Sequence, residues 1–420
     1  MAVKDELIEL VRGKKVYCYG AGEYGKIVAY ALQDMNIFLE GFIVTHNINH
    51  MKAVLGKPVW ELDAIESLDN AIILICVNNM IQREIKGELY KRNIKNWYIL
   101  SETMMEELDN TTVFDKEVDT NRYINVLLYH RVCHIENDIW KIAVSPEEFE
   151  KQVKYLKEHY NILRFDEDWS NVREKSIVIT FDDGYVDNYK FAVPILKKYQ
   201  VPATIFISTG NIDTDYEFWW DELETIIFNC NNLQILTYAG DDFYLNSAQE
   251  KKICCQQIRK KMMGMRIDQR EKELIELRKR VGVDRSQRSL YRTMGLKEIQ
   301  ELSRIEEITI GAHTKTHCRL SDLPENLQLE EINQSKQTLE KIIGREVTTF
   351  SYPFGNSGDY TMQTIRAVKK CGFIRAAAVN GGLYLASQGE YEVPRNNIPG
   401  EIKLEAFKKL LRKHWYEYGT

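Results

Sequence analysis

Two adjacent aspartates, Asp182 and Asp183, stand where a short apolar run, Ile177–Phe181, meets Gly184. The run reads as a buried strand and the glycine as a tight turn, so charge is placed at a strand end. One aspartate there can cap a helix; a second beside it needs another purpose. Further along, His313 and His317 lie four residues apart in AHTKTH, Ala312–His317. On helical or tightly turned backbone that spacing brings both imidazoles within reach of one ion. Two neutral imidazoles and a carboxylate from another strand end make a three-ligand set with positions open for water and substrate. Such N/O ligation suits Zn²⁺, and also Co²⁺, Ni²⁺ or Fe²⁺. Hydrolysis at such a centre also needs a base that is not a ligand, and adjacent aspartates can supply one of each.

To bring these groups together, several strand ends must share one face. From Asn125–Val132 onward strands alternate with helices: Ile177–Phe181, Ala203–Ser208, Glu307–Gly311, Val347–Ser351 and Phe373–Val379 are separated by helical patterns such as Pro146–His159 and Asn326–Ile343. The alternation predicts a parallel α/β barrel whose strand carboxyl ends gather on one face. An amphipathic tail, Leu404–Trp415, is expected to pack on it. Residues from about 210 to 291 interrupt the alternation. They open with the aromatic and acidic EFWWDELE, Glu217–Glu224, and continue as a helical segment holding 14 Lys or Arg against 5 Asp or Glu between Lys251 and Arg292. A solvated helical insertion is the plainer expectation; the other is contact of 251–292 with anionic lipid or a substrate phosphate.

Before the barrel, the strand Lys15–Tyr19 runs into GAGEYG, Gly20–Gly25, and then a helical pattern. Gly20, Gly22 and Gly25 have the spacing that lets backbone approach a phosphate at a helix N-terminus. The acidic residue that should hold a ribose is missing, because the second strand ends in Thr45 and His46. The turn is therefore either a pocket for an anionic or nucleotide-sugar ligand or simply part of a scaffold. The expected organisation is a Rossmann-like domain over 1–110, a linker within the polar stretch Ser101–Asn121 and chiefly over 111–121, and a barrel domain over 122–420.

With 420 residues and 44% hydrophobic content, the chain can bury two cores. Its formal net charge of −6 argues against general nucleic-acid binding. Eight scattered cysteines without CxxC pairs indicate neither a disulfide framework nor a cysteine zinc site. A charged opening stretch and the short longest apolar run, Ala71–Val77, point to a cytoplasmic protein, with a peripheral membrane association left open. Oligomeric state is not legible.

Taken together, TFDDG and HTKTH make the region from Ile124 to Pro399 resemble the polysaccharide deacetylase family, the NodB-homology or carbohydrate esterase family 4 domain. The resemblance implies a deformed (β/α) barrel and a metal-dependent deacetylase acting on an N-acetylated sugar. It implies Asp182 as base, and Asp183, His313 and His317 as metal ligands, with Zn²⁺ the first choice. Where the family usually has Arg-x-Pro-Tyr this chain has Ser351–Phe354, so the arginine that pairs with the base is absent; Arg395 is the replacement expected here. The Phe354 N–H is the implied oxyanion donor, and Leu128, Tyr352 and Pro353 the implied pocket walls. The family's Leu-x-His triplet is missing near the C-terminus, yet Leu128, Tyr129 and His130 spell it on the first strand. In a closed barrel first and last strands are neighbours, so a circular permutation would leave His130 as general acid. No match to the family's Asp-to-Trp motif is found, and Trp219 and Trp220 are alternative sugar-stacking walls. The N-terminal region resembles small Rossmann-like domains appended to bacterial surface-polysaccharide enzymes. Without an export signal, the expected substrate is a cytoplasmic nucleotide sugar, a lipid-linked sugar or another glycan precursor. A deformylase on a lipid-linked amino sugar, a metal oxygenase and a non-catalytic sugar-binding module remain as alternatives.

Overall fold

Along Lys15–Tyr19 successive side chains point to opposite sides, Val16 and Cys18 into one core and Tyr17 and Tyr19 into another. A strand buried on both faces belongs inside a sheet covered by helices. The computed structural model describes residues 3–45, 53–65, 68, 70–77, 79–111, 123–214, 216–285, 288–385 and 389–418. They fall into two compact units, Met1–Glu117 and Val118–Thr420.

In the smaller unit, strands β1 (Lys15–Tyr19), β2 (Leu39–Val44), β3 (Ala53–Val54), β4 (Lys57–Glu61), β5 (Ala71–Ile75) and β6 (Trp97–Ile99) form one sheet in the order β3-β4-β2-β1-β5-β6. All neighbours are parallel except β3 and β4. Helices α1 (Val3–Val11), α2 (Glu23–Asp34) and α4 (Glu102–Thr111) share a core with one face, while α3 (Asn79–Lys91) packs Ile85 and Leu89 on the other. Helix α4 falls in the stretch from Ser101 expected to be linker. Met105 and Leu108, three apart on it, are fully buried, which makes it part of the fold. His46 and residues 112–122 lie outside the described residues.

The larger unit opens with β7 (Tyr123–Tyr129), the short pair β8 (Arg131–Val132) and β9 (Ala143–Val144), helix α5 (Pro146–His159), β10 (Asn161–Leu163) and β11 (Ser176–Phe181). Helix α6 (Val193–Tyr199) and β12 (Ala203–Ile207) lead into an insertion of α7 (Trp219–Phe228), the hairpin β13–β14 (Ile235–Tyr238, Asp241–Tyr244), α8 (Ala248–Met262) and α9 (Ile267–Val281). Then come α10 (Leu296–Leu302), β15 (Ile308–Ala312), α11 (Glu325–Ile343), β16 (Thr349–Ser351), α12 (Met362–Lys370), β17 (Arg375–Ala378), β18 (Tyr384–Leu385), β19 (Val393–Pro394), β20 (Asn396–Asn397) and α13 (Leu404–Tyr418). The parallel strands run β7-β11-β12-β15-β16-β17-β19, and β20 returns to pair with β7, so the sheet curls until last strand meets first. This is the α/β barrel expected of the sequence. Among the described residues no helix is long and apolar enough to cross a membrane.

Strand parity sorts the barrel's side chains. Ile177, Ile179, Phe181, Phe350 and Tyr352 face the surrounding helices, whereas Val126, Val178, Phe206, Ala377 and Val393 fill the interior. Gly311 has no side chain because a Cβ there would lie 2.3 Å from the interior ring of Phe206. Tail helix α13 packs Phe407, Leu411 and Trp415 into the helix-side core. The insertion has a third core of its own, built from Leu223, Ile227, Phe243, Ile258 and Leu277 among others. Its hairpin, where only helix was expected, turns on Ala239 and Gly240, both at positive φ (50° and 86°). That turn suits the twist of paired strands.

Candidate active site

The parity that fills the barrel also arms its mouth. Two residues beyond Val126 on the same face comes Leu128, then His130; beyond Val178 come Thr180 and Asp182; beyond Val393 come Arg395 and Asn397. Gly311 is followed in the same way by His313. Leu128, His130, Asp182, Asp183, His313, His317, Phe354 and Asn397 thus line one cavity of ≈ 180 Å³, together with Trp140, Ile142, Trp220, Arg259 and Val379. A larger groove of ≈ 580 Å³ bounded by Met362, Lys369, Tyr391 and Glu392 shares none of these residues and gathers no such chemistry.

Asp182 and Asp183 are each 3% exposed, so their charges need compensation. For Asp182 it is Arg395, fully buried, which donates from Nη1 to Oδ1 at 2.7 Å and from Nη2 to Oδ2 at 2.6 Å. Ser351, standing where an arginine would be usual, donates from Oγ to Asp182 Oδ2 at 3.1 Å and lies 2.7 Å from Arg395 Nη2. Burial alone would raise the Asp182 carboxyl; the Arg395 charge and that of nearby His313 outweigh it and hold it below the usual carboxylate range. Among the described residues Oδ1 accepts only the Arg395 bond, which leaves it a second lone pair in a residue that lines the cavity.

Asp183 is served differently. His317 Nε2 lies 3.1 Å and His313 Nε2 3.6 Å from its Oδ1, yet no hydrogen bond is directed onto that oxygen. The atoms converge as lone pairs do around a cation. Among the described residues this is the only group of three or more His, Cys, Asp or Glu side chains with ligand atoms all within 4.8 Å of one another. His313 Nδ1 donates to the Ser351 carbonyl at 2.8 Å, which fixes Nε2 as the free lone pair. Burial opposes the Asp183 charge, but the two imidazoles hold its carboxyl well below the ordinary range. Burial likewise opposes charge on both histidines; it prevails at His317, whose pKa falls, whereas Asp182 and Asp183 override it at His313, whose pKa rises. The lowered Asp183 and raised His313 values describe a point that draws positive charge, and the donor set fits a divalent metal.

Three loops carry the site on left-handed backbone. Asp183 and Gly184 have φ 73° and 77°, Thr314 and His317 58° and 52°, Phe354 and Gly355 62° and 71°. For a β-branched or aromatic residue this conformation costs on the order of 1–3 kcal/mol, and such strain clusters at functional sites. The turn at Phe354 leaves its N–H without an acceptor among the described residues and sets its ring edge-on to His317, 4.9 Å between centroids. Trp220 covers another side of His317 at 4.7 Å. His130 Nδ1 is buried without a partner among the described residues.

Two expected pocket walls are elsewhere. Tyr352 shares parity with Phe350, so it points to the helix side, fully buried, stacked on Tyr360 and donating to the Tyr391 carbonyl at 2.9 Å. Pro353 is buried and is not part of the cavity lining. Of the two tryptophans, Trp220 lines the cavity while Trp219 borders a separate cleft. Trp140 is not among the expected site residues, and Arg259 is expected only as part of the basic segment 251–292. They reach the cavity from a loop and from the insertion, through long-range packing that no local pattern announces. In the smaller unit a Cβ on Gly25 would lie 1.9 Å from the Gly20 carbonyl, and one on Gly20 would lie 2.7 Å from the Cys76 carbonyl, so close approach of α2 to the end of β1 accounts for the first and of the β1 end to the β5 end for the second. Gly22 precedes α2 with open space around it.

The family model for polysaccharide deacetylase matches residues 170–266 and 284–375, segments that include both aspartates and both histidines. His130 and Arg395 lie outside them. The Bacillus subtilis (strain 168) protein YxkH, itself named only as a candidate polysaccharide deacetylase, is 24% identical over 310 residues, 70% of this chain and 80% of that one. A poly-beta-1,6-N-acetyl-D-glucosamine N-deacetylase of Staphylococcus aureus (strain MRSA252) is 23% identical over 282 residues, 66% of this chain and 73% of that one. Among solved structures, the Streptococcus pyogenes deacetylase PplD in complex with acetate covers 68% of this chain and 97% of its own at 20% identity and a TM-score of 0.45. Both motif-bearing segments of the larger unit thus match the polysaccharide deacetylase family model, and the relatives it resembles carry that family's name.

Proposed function

We propose that the larger unit is a metal-dependent N-deacetylase that hydrolyses the acetamide of an N-acetylated sugar to acetate and a free amine. The observation that carries this reading is the buried trio of Asp183 Oδ1, His313 Nε2 and His317 Nε2 beside an Asp182 carboxylate held by a separate cation. Asp183, His313 and His317 would hold the ion, which when bound polarises the acetamide carbonyl and lowers the pKa of water. Zn²⁺ suits these ligands, as do Co²⁺, Ni²⁺ and Fe²⁺.

The protein's own groups divide the remaining work. Asp182 takes the proton of the attacking water through its open Oδ1 lone pair as the water oxygen bonds to the carbonyl carbon. The Phe354 N–H donates to the carbonyl oxygen as negative charge develops there. His130 delivers a proton to the sugar nitrogen as the C–N bond breaks, so acetate and amine leave with atoms and charge balanced. Arg395 holds Asp182 ionised and oriented, and Trp220 and Leu128 wall the sugar.

Acetate release from β-1,6-linked N-acetylglucosamine oligomers, measured before and after chelation and with metal restored, tests this function. Release that stops with chelation and returns with metal supports it. Undiminished release from metal-free protein would sink the metal-dependent reading.

A further inference from the structure

The basic insertion is for the most part neutralised from within. Arg278 and Arg285 pair with Glu222, Arg288 with Glu217 and Glu224, Arg292 with Glu298, Lys261 with Asp241, and Lys251 donates to the Phe228 and Cys230 carbonyls. The acidic stretch that opens the insertion and the basic residues at its end are thus partners. Arg259 differs from them. It projects from α8 into the cavity that holds Asp182, Asp183, His313 and His317, with its guanidinium against the face of Trp140 at 5.4 Å. No carboxylate among the described residues lies at ion-pair distance from it.

We propose that Arg259 is a specificity-determining residue: it selects an N-acetylated sugar bearing an anionic group, a phosphate or a carboxylate, that pairs with its guanidinium in the cavity. The inference rests on reading the cavity as the deacetylation site and adds the charge of its substrate. An arginine held in a cavity without a counter-ion is costly, and a bound oxyanion relieves that cost through two parallel N–H···O bonds. Burial lowers the Arg259 pKa against the opposing charges of Asp183 and Asp221, neither of which is in hydrogen-bond contact with it. Trp140 stacking restricts the side chain and so lowers the entropy lost on binding.

Affinities of the intact protein for N-acetylglucosamine, N-acetylglucosamine 1-phosphate and N-acetylmuramic acid, measured by titration calorimetry, test the assignment. The wild type is expected to favour at least one charged sugar over the neutral one by about tenfold or more. Which of the two it favours separates a phosphate source from a carboxylate source. Arg259→Gln should bring the ratio close to one, Arg259→Lys should restore part of it, and Lys260→Gln, which removes the same charge from the exposed side of α8, should leave it unchanged. Three results would overturn the proposal: equal affinity for neutral and charged sugars in the wild type, a preference that survives Arg259→Gln, or equal weakening of all three sugars in that variant, as expected if Arg259 only balances Asp182 and Asp183. Unaltered melting temperatures show that the variants are folded. If the charge preference follows Arg259 while no acetate is released from any sugar, the deacetylase reading fails and the anion site stands.

Discussion

At the end of β1 the chain turns through Gly20 at φ 113°, and at the end of β11 it turns through Asp183 and Gly184 at φ 73° and 77°. The glycines do the same work in both places. A Cβ on Gly20 would strike the Cys76 carbonyl at 2.7 Å, and one on Gly184 would strike Ile207 at 2.8 Å, so each lets a turn lie against the neighbouring strand. The side chains around them differ. The first turn closes on its own backbone, with Gly25 against the Gly20 carbonyl, whereas the second keeps two ionised carboxylates under cover and supplies each with a different partner. Glycine spacing reports how closely backbones approach, and buried charge reports chemistry.

Breaking the second turn should have the larger effects. Asp183→Ala or His317→Ala should remove bound metal, as read by elemental analysis, and acetate release with it. Arg395→Met should cost about 3–5 kcal/mol in denaturant unfolding, because it leaves the Asp182 charge buried without its counter-ion; unchanged stability would mean that Ser351 and His313 suffice. Asp182→Asn should retain metal and lower kcat about 10²-fold or more, and full activity would move the base elsewhere. In the first turn, Gly25→Ala should lose about 1–3 kcal/mol to overpacking while metal content and acetate release stay at wild-type levels. Gly22→Ala, with open space at its Cβ, should cost under about 1 kcal/mol. A nucleotide sugar whose binding is weakened by Gly22→Ala would make the first turn a site as well and dissolve the contrast.

Sequence reading worked where chemistry and geometry were local. The aspartate pair and the two histidines each sit within one loop at the end of a recognisable strand, and the alternation of strands and helices predicts that those ends converge. Arg395 was reached from a gap, since a buried base without its usual arginine needs a cation from somewhere, and the structure does bring the two together. The place of Tyr352 in SYPF suggests a pocket wall, but strand parity with Phe350 decides where it points. Helix α4 was missed in spite of Met105 and Leu108 at helical spacing, since the stretch around them is polar and acidic. The insertion's charge could not be apportioned from composition. Arg288 finds Glu217 across 71 residues, a pairing that only the fold reveals.

The strand that closes the barrel also sets when the site can exist. Asp182 and Arg395 are 213 residues apart, and Arg395 sits between β19, which pairs with β17, and β20, which pairs with β7. A nascent chain reaches this arginine only after every strand from β7 to β19 has been made. Until then the Asp182 carboxylate has no guanidinium, and burying it would be unfavourable, so the interior must stay hydrated and the mouth unformed. Contacts of such sequence separation carry a large loop-closure cost and slow folding. Hydrolytic competence is thereby tied to completion of the barrel, and a polypeptide interrupted before Val393 would carry both motifs yet have no means of using them.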